Sequence, residues 1–364
     1  MTALAAVVRG PVISGWSAVS PYGIGRHAFV EGARSGHSTA VDLDPGTWTG
    51  PDEQACLVPD FNIRDVLGRK GTRSMDRVTG LAVTAVGRLL KDSPGPETDG
   101  TRVALVLGTN TGSAQSMMDL ARDTFTQDKP YHVDPSHFPN TVMNCASGQC
   151  AIWYGLRGPN ATVAAGRSSG LEALNYARRM LVSERADTVL CGAVEEYSAA
   201  RSWLEHHTRD EDEAGTTLGE GCAVLRLEPA ASVPEDTGLA EVLLVEAGVV
   251  GAEGVAASLE QCVRRALRRA DVDLAQVWAV SPSSPAGRVG AEERQALTAV
   301  FGEAETAWVP QSALIGDTSA ATAAFQIVSV LTAAENAPDA RGRVAVITSV
   351  DRDGAIGCAL LRLR

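Results

Sequence analysis
At 364 residues, 45% apolar and 21% charged, the chain has the composition of a globular protein of one large or two small domains. A formal net charge of −12 excludes nucleic acid as a general partner, since a phosphate backbone needs a basic footprint. No run is apolar enough to span a membrane and the N-terminus lacks a signal-peptide layout, so the cytoplasm is the expected compartment. The seven cysteines are scattered without C-x-x-C spacing; they read as small core residues, and neither a metal site nor a disulfide framework is expected. Two arginine clusters, Arg264/Arg265/Arg268/Arg269 and Arg178/Arg179/Arg185, read as solvated helix faces.

In chain order, the β-branched, glycine-punctuated residues 7–19 predict a strand, followed by PYGIG and an amphipathic segment at 27–33. Apolar residues at Val78, Leu81, Ala82, Ala85, Val86 and Leu89 predict a helix over 74–92. Residues 103–108 form a short apolar run that predicts a buried strand. Helices are expected at 113–125 and around 140–154. At 158–187 a strand turns sharply at Gly166 into a helix with Leu171, Leu174, Ala177 and Leu181 on one face. A strand at 186–196 and a polar, acidic stretch at 197–217, expected as exposed loop, lead to a strand at 219–228.

Residues 229–237, PAASVPEDT, read as a linker between halves 1–228 and 238–364. Past it the pattern restarts: strand 239–250, helix 255–271, strand 277–281, helices 291–300 and 318–336, and strands 343–349 and 356–363. This alternation implies an α/β protein with mostly parallel, buried sheets.

Chemistry concentrates at the turn before residue 170. Unpaired amides at the start of the helix lie where developing negative charge could be held. Gly166-Arg167-Ser168-Ser169-Gly170 fits G-x-S-x-G, the serine elbow of α/β-hydrolases, with Ser168 or Ser169 as nucleophile. Read with its flanks, GPNATVAAGRSSGLEAL resembles the β-ketoacyl synthase segment in which GP precedes an active-site cysteine; Arg167 stands at the cysteine. Met75-Asp76-Arg77, the strand ending Gly-Ala-Val-Glu and the GEG strand are further signposts in that family's order. The resemblance implies a thiolase-like fold of two duplicated halves in five αβαβα layers, dimerising through the strand before the turn.

Condensation needs a thiol, two histidines and usually a lysine. On this resemblance Val280 and Asp317 stand at the histidines, Ser312 at the lysine, and Asp351-Arg352-Asp353-Gly354 at the G-F-G-G loop, with Arg352 at its phenylalanine. Independently, all six histidines, at 27, 37, 132, 137, 206 and 207, precede the linker, and no lysine follows Lys129. Such a pattern resembles the chain-length factor, the ketosynthase β subunit of type II polyketide synthases. That likeness implies a heterodimer with an active ketosynthase α subunit, and contact with an acyl carrier protein mainly through that partner. It also implies a share in the tunnel for a growing polyketide or polyene chain, no cofactor, and no independent condensing activity. Ala114, Met117, Met118, Phe125 and Phe138 are the expected tunnel residues, and Arg167 with Asp317 the expected ion pair in the emptied pocket. A serine acyltransferase or hydrolase on the same fold, and a homodimeric acyl-binding or regulatory protein, remain the alternatives.

Overall fold
The computed structural model describes residues 10–92, 100–302, 306–309 and 312–364. The first three residues of the expected opening strand, 7–9, lie outside the described residues. What the sequence does not display is a repeated strand order. In the first half the strands lie as Val12–Ser20, Gly221–Glu228, Thr188–Glu195, Val103–Gly108 and Asn160–Val163. In the second half Ala240–Val249, Ala355–Leu363, Val344–Val350, Val277–Ser281 and Ala307–Trp308 follow the same order. The two sheets meet where Val12 and Ile13 pair with Glu241 and Ala240.

Each half mixes antiparallel pairings with parallel ones, which corrects the expectation of mostly parallel sheets. The physical reason is plain in the second half. Gly354 donates its amide to Asp351 O at 3.0 Å, closing a tight turn between neighbouring strands, and a hairpin can only be antiparallel.

Three helix layers enclose the sheets. Helices Arg77–Asp92 and Cys145–Tyr154 cover one outer face, where Leu81, Val86, Cys150 and Leu105 share a cluster. Ser169–Val182 and Thr322–Ala334 fill the middle, where Leu171, Leu174 and Ala177 meet Phe325 and Val328. Gly254–Arg269 and Gly287–Phe301 cover the other outer face. Val103–Gly108 is buried at every residue, as a strand covered on both faces must be.

Two other expectations need correction. The helix expected over 140–154 is a 3-10 turn, Phe138–Thr141, followed by Cys145–Tyr154. The stretch 197–217 contains a helix, Ala199–Thr208, capped by Ser198, whose hydroxyl accepts from Arg201 N. The run 229–237 holds a 3-10 turn, Ala230–Ser232, and buries Val233.

The two middle helices approach closely at Gly170. A Cβ there would lie 3.0 Å from Ala323 Cβ and 3.1 Å from Ala324 N, tighter than packing allows without displacement. Gly170→Val is therefore expected to cost about 1–3 kcal/mol. Urea denaturation measures it, and an unchanged midpoint would mean that the helices have room to spare.

Candidate functional site: the cleft at Arg167
The edge strand Asn160–Val163 runs into a turn at Gly166, which has φ 54°. A Cβ at Gly166 would collide with the Asp351 carboxylate, so glycine is required twice, for conformation and for room. Ser169, fully buried, pins this turn: its Oγ accepts from Ala165 N at 2.9 Å and donates to Gly166 O at 2.7 Å. Ser168 is also buried, with its Oγ 3.2 Å from Ser349 Oγ. No histidine lines the adjoining cleft. His206 and His207 sit exposed on Ala199–Thr208, packed against each other and Trp203. Neither serine therefore has a base beside it that could take its proton.

Both halves contribute to the cleft, which has a volume of about 180 Å³. Asn110, Arg167, Glu205 and Glu213 come from the first half; Pro285, Ser319, Asp351, Arg352 and Asp353 come from the second. Arg167, only 8% exposed, donates Nη1 to Asp317 Oδ1 at 2.8 Å and Nη2 to Asp317 Oδ2 at 2.6 Å. Asp317 also accepts Ser319 N on Oδ1 at 2.8 Å, and its carbonyl accepts Arg201 Nη2 at 2.9 Å. Burial disfavours both charges, but the pair outweighs it. The Arg167 guanidinium is held above its usual range, and Asp317 is held well below the usual carboxylate range by Arg167 and more weakly by Arg201.

The amide of residue 167 stands at the start of the helix, the position that could hold developing negative charge. It donates instead to Asp351 Oδ2 at 2.5 Å. This anion site is filled by the chain's own carboxylate. Composition carries no signal for it, because the contact runs to a backbone amide.

The other sequence-assigned positions divide. Arg352 reaches the cleft and donates Nη2 to Glu205 Oε2 at 2.7 Å, with Nη1 3.6 Å from Glu213 Oε2. Val280 does not reach it. Strand alternation turns its side chain into the outer cluster with Val346 and Leu297, while Ala279 faces the middle layer. Ser312 opens a short helix, Ser312–Ile315, and its side chain lies outside the described residues. Among the described residues no cluster of three His, Cys, Asp or Glu is arranged to hold a metal ion.

Of the expected tunnel residues, Ala114 is buried at the start of helix Ala114–Thr126. Met117, Met118 and Phe125 stand exposed along it, and Phe138 is exposed beside it. Two acids, the buried Glu196 and the half-buried Asp76, hold the N-terminus of this helix; the sequence reading has Asp76 only as part of a signpost and does not name Glu196. Glu196 accepts from Ser113 Oγ at 3.2 Å, Gln115 N at 3.4 Å and Val78 N at 3.1 Å. Asp76 accepts from Thr79 N at 3.0 Å and Ser116 Oγ at 3.5 Å. Burial, and then the neighbouring Asp76, push the Glu196 carboxyl up to about 8; burial likewise raises Asp76. Glu195, turned to the other side, is pushed up to about 7 by burial despite Arg201.

Arg167→Ala strands a buried carboxylate and is expected to cost about 3–5 kcal/mol, read by urea unfolding at pH 7. An unchanged stability would mean that the pair is idle. In the wild type, Asp317 is depressed on folding. Its contribution is present above the unfolded value of about 3.9 and is lost only as pH falls below that. Glu196 behaves oppositely: its folded value is raised, so the native state binds the extra proton. Stability should decline from about pH 4.3 towards the raised value near 8. Glu196→Gln should flatten that decline, and a slope identical to wild type would disprove the assignment.

Residues 11–232 match the family described as "Beta-ketoacyl synthase, N-terminal domain". The chain is 25% identical over 246 residues to the 3-oxoacyl-[acyl-carrier-protein] synthase 2 of Vibrio cholerae serotype O1, covering 60% of this chain and 58% of that protein. It is 25% identical over 328 residues to the synthase of the same name from Rhizobium meliloti, covering 79% and 78%. Thus it spans under two thirds of the length of the first relative. Among solved structures, the ishigamide ketosynthase/chain length factor superposes with a TM-score of 0.92 at 44% identity, covering 97% of this chain and 99% of that one. A ketosynthase in complex with its acyl carrier protein, AntDE:AntF, superposes at 0.81 with 18% identity, covering 98% and 100%, a likeness of fold. Family match, duplicated sheets and layered helices agree: the chain belongs to the β-ketoacyl synthase family and has its thiolase-like fold.

Proposed function
We propose that this chain is a non-catalytic, chain-length-factor-like subunit that pairs with an active ketosynthase in a type II polyketide synthase. The observation that carries this reading is the filled site at residue 167. A guanidinium tied to Asp317 occupies the nucleophile position, and Asp351 occupies the amide that would hold an oxyanion. The guanidinium cannot attack a thioester carbonyl, the Asp351 carboxylate is engaged by the amide of residue 167, and the second half contains no histidine or lysine to polarise a carbonyl. The 44% identity with the ishigamide ketosynthase/chain length factor supports the same assignment.

Surface chemistry supports the partner. Among the described residues the strand Asn160–Val163 pairs on one side, with Val103–Gly108, leaving an edge that a second subunit would cover. Nearby segments expose Met117, Met118, Phe125, Phe138, Val142 and Met143, an apolar set of the kind that marks protein interfaces. In the proposed complex the helix Ala114–Thr126 walls the channel into which the partner's growing polyketide or polyene extends. The acyl carrier protein is engaged mainly by the partner. The expected thiol, histidines and lysine then come from the ketosynthase subunit.

Co-expression with candidate ketosynthases should yield a one-to-one complex on size exclusion, and the purified chain alone should form no acyl-enzyme. A stable homodimer that ignores every ketosynthase would favour an acyl-binding protein instead, and labelling by a serine-directed probe would favour a hydrolase. Met118→Glu, at an exposed position, should weaken the complex at least about tenfold without lowering the melting temperature. Ala114→Trp, once shown to fold, should shorten the products of the active complex; unchanged product length would remove Ala114 from the channel.

A further inference from the structure
We propose a second ligand site, an arginine-lined groove that binds a phosphate-bearing small molecule, at the end of the sheets away from the cleft. The strand Val344–Val350 runs from one to the other: Arg341 and Gly342 precede it in the groove, and Asp351 follows it in the cleft. Seven residues of strand separate them by about 20 Å. The groove encloses about 530 Å³, within the range of small-molecule sites, and is lined by Arg269, Arg341, Arg362 and Arg364.

Arg269 is neutralised by Glu246, which it shares with Arg265. Among the described residues, Arg341, Arg362 and Arg364 make no ion pair. Three guanidiniums without an ion pair run against the charge of the whole chain, −12, and outnumber the two carboxylates of the groove, Glu235 and Glu241, so that an anion joining them would relieve their mutual repulsion. Arg364 carries a second signal: its Nη1 is buried without a hydrogen-bond partner, a costly state that a ligand oxygen would relieve.

The arginines are held by ordered backbone. Gly342 N donates to Leu363 O at 2.9 Å, Leu363 N donates to Arg343 O at 2.9 Å, and Arg343 Nη2 donates to Val277 O at 2.9 Å. These bonds fix the backbone positions from which the guanidiniums reach into the groove. The groove also contains Glu235 and Glu241, and Glu241 Oε1 already accepts Gly10 N at 2.7 Å. A ligand carboxylate would offer one charge and two acceptor oxygens to three guanidiniums. A phosphate monoester, with about −1.5 to −2 charges and three acceptor oxygens, matches their number and their planar forks.

The proposal stands independently of the polyketide reading. Its test is titration calorimetry of the full chain with pyrophosphate in low-salt buffer, with hexaglutamate as a second probe. Saturable one-to-one binding is expected. Arg341→Ala and Arg362→Ala should each weaken it about tenfold, while Arg178→Ala, outside the groove, should leave it intact. Melting curves establish that the variants fold; Arg341 is exposed and tolerates replacement. Absent saturation, equal binding by wild type and both groove variants, or hexaglutamate binding as tightly as pyrophosphate would each overturn the site.

Discussion

A buried guanidinium at the start of a helix is the constraint around which the cleft is arranged. Arg167 opposes the helix dipole and has lost most of its water, so it persists only because a carboxylate from the other half of the chain meets both of its forks. That demand propagates outward. Asp317 must be placed to within a hydrogen bond, and it is, because its N–H donates to Thr217 O at 2.8 Å and its carbonyl accepts Gly219 N at 2.9 Å. Gly316 makes the approach feasible: it takes φ 73°, and a Cβ there would press on the backbone of Leu218 at 2.9 Å. Arg201 then secures the same carbonyl together with those of Glu196 and Gly219.

The same pocket is balanced charge against charge. Asp351 satisfies the amide of residue 167, and Arg352 satisfies Glu205 and approaches Glu213. Acyl transfer is helped by amides and other donors left open, so that negative charge arriving in the transition state is met without rearrangement. Here the complementary charges have already found each other within the ground state, and the binding energy is spent on joining the two halves. The proposed role as a partner subunit is consistent with this economy, since such a subunit needs a rigid scaffold next to an interface and no vacancy at its centre.

Much of the architecture was legible where side chains repeat with a period. The run Val103–Gly108 and the face carrying Leu171, Leu174 and Ala177 announce strand and helix directly, and the order of signposts around Gly158, Glu195 and Gly219 carried the family resemblance. The helix Ala199–Thr208 was hidden because part of its buried side is Arg201 and Ser202, so no apolar rhythm betrays it. Val280 misled for a different reason: a short loop leaves register ambiguous, and a shift of one residue reverses the face. The roles of Asp351 and Glu196 were not readable at all, because each serves backbone amides, and an acid that does so looks in sequence like any solvated acid. The mixed strand directions likewise depend on a hairpin that composition does not distinguish from a loop.

The collision that any side chain at Gly166 would have with Asp351 reaches beyond the turn itself. It means that loop and turn fit one another, so a substitution at one position finds the others set against it. A thiol installed at 167 would face an amide already claimed and would leave Asp317 desolvated with no counter-ion nearer than Arg201. Recovery of a reactive centre would demand coordinated change on both sides of the duplication, with each single step passing through a less stable protein. The charges that fill this site also hold the two halves of the molecule together.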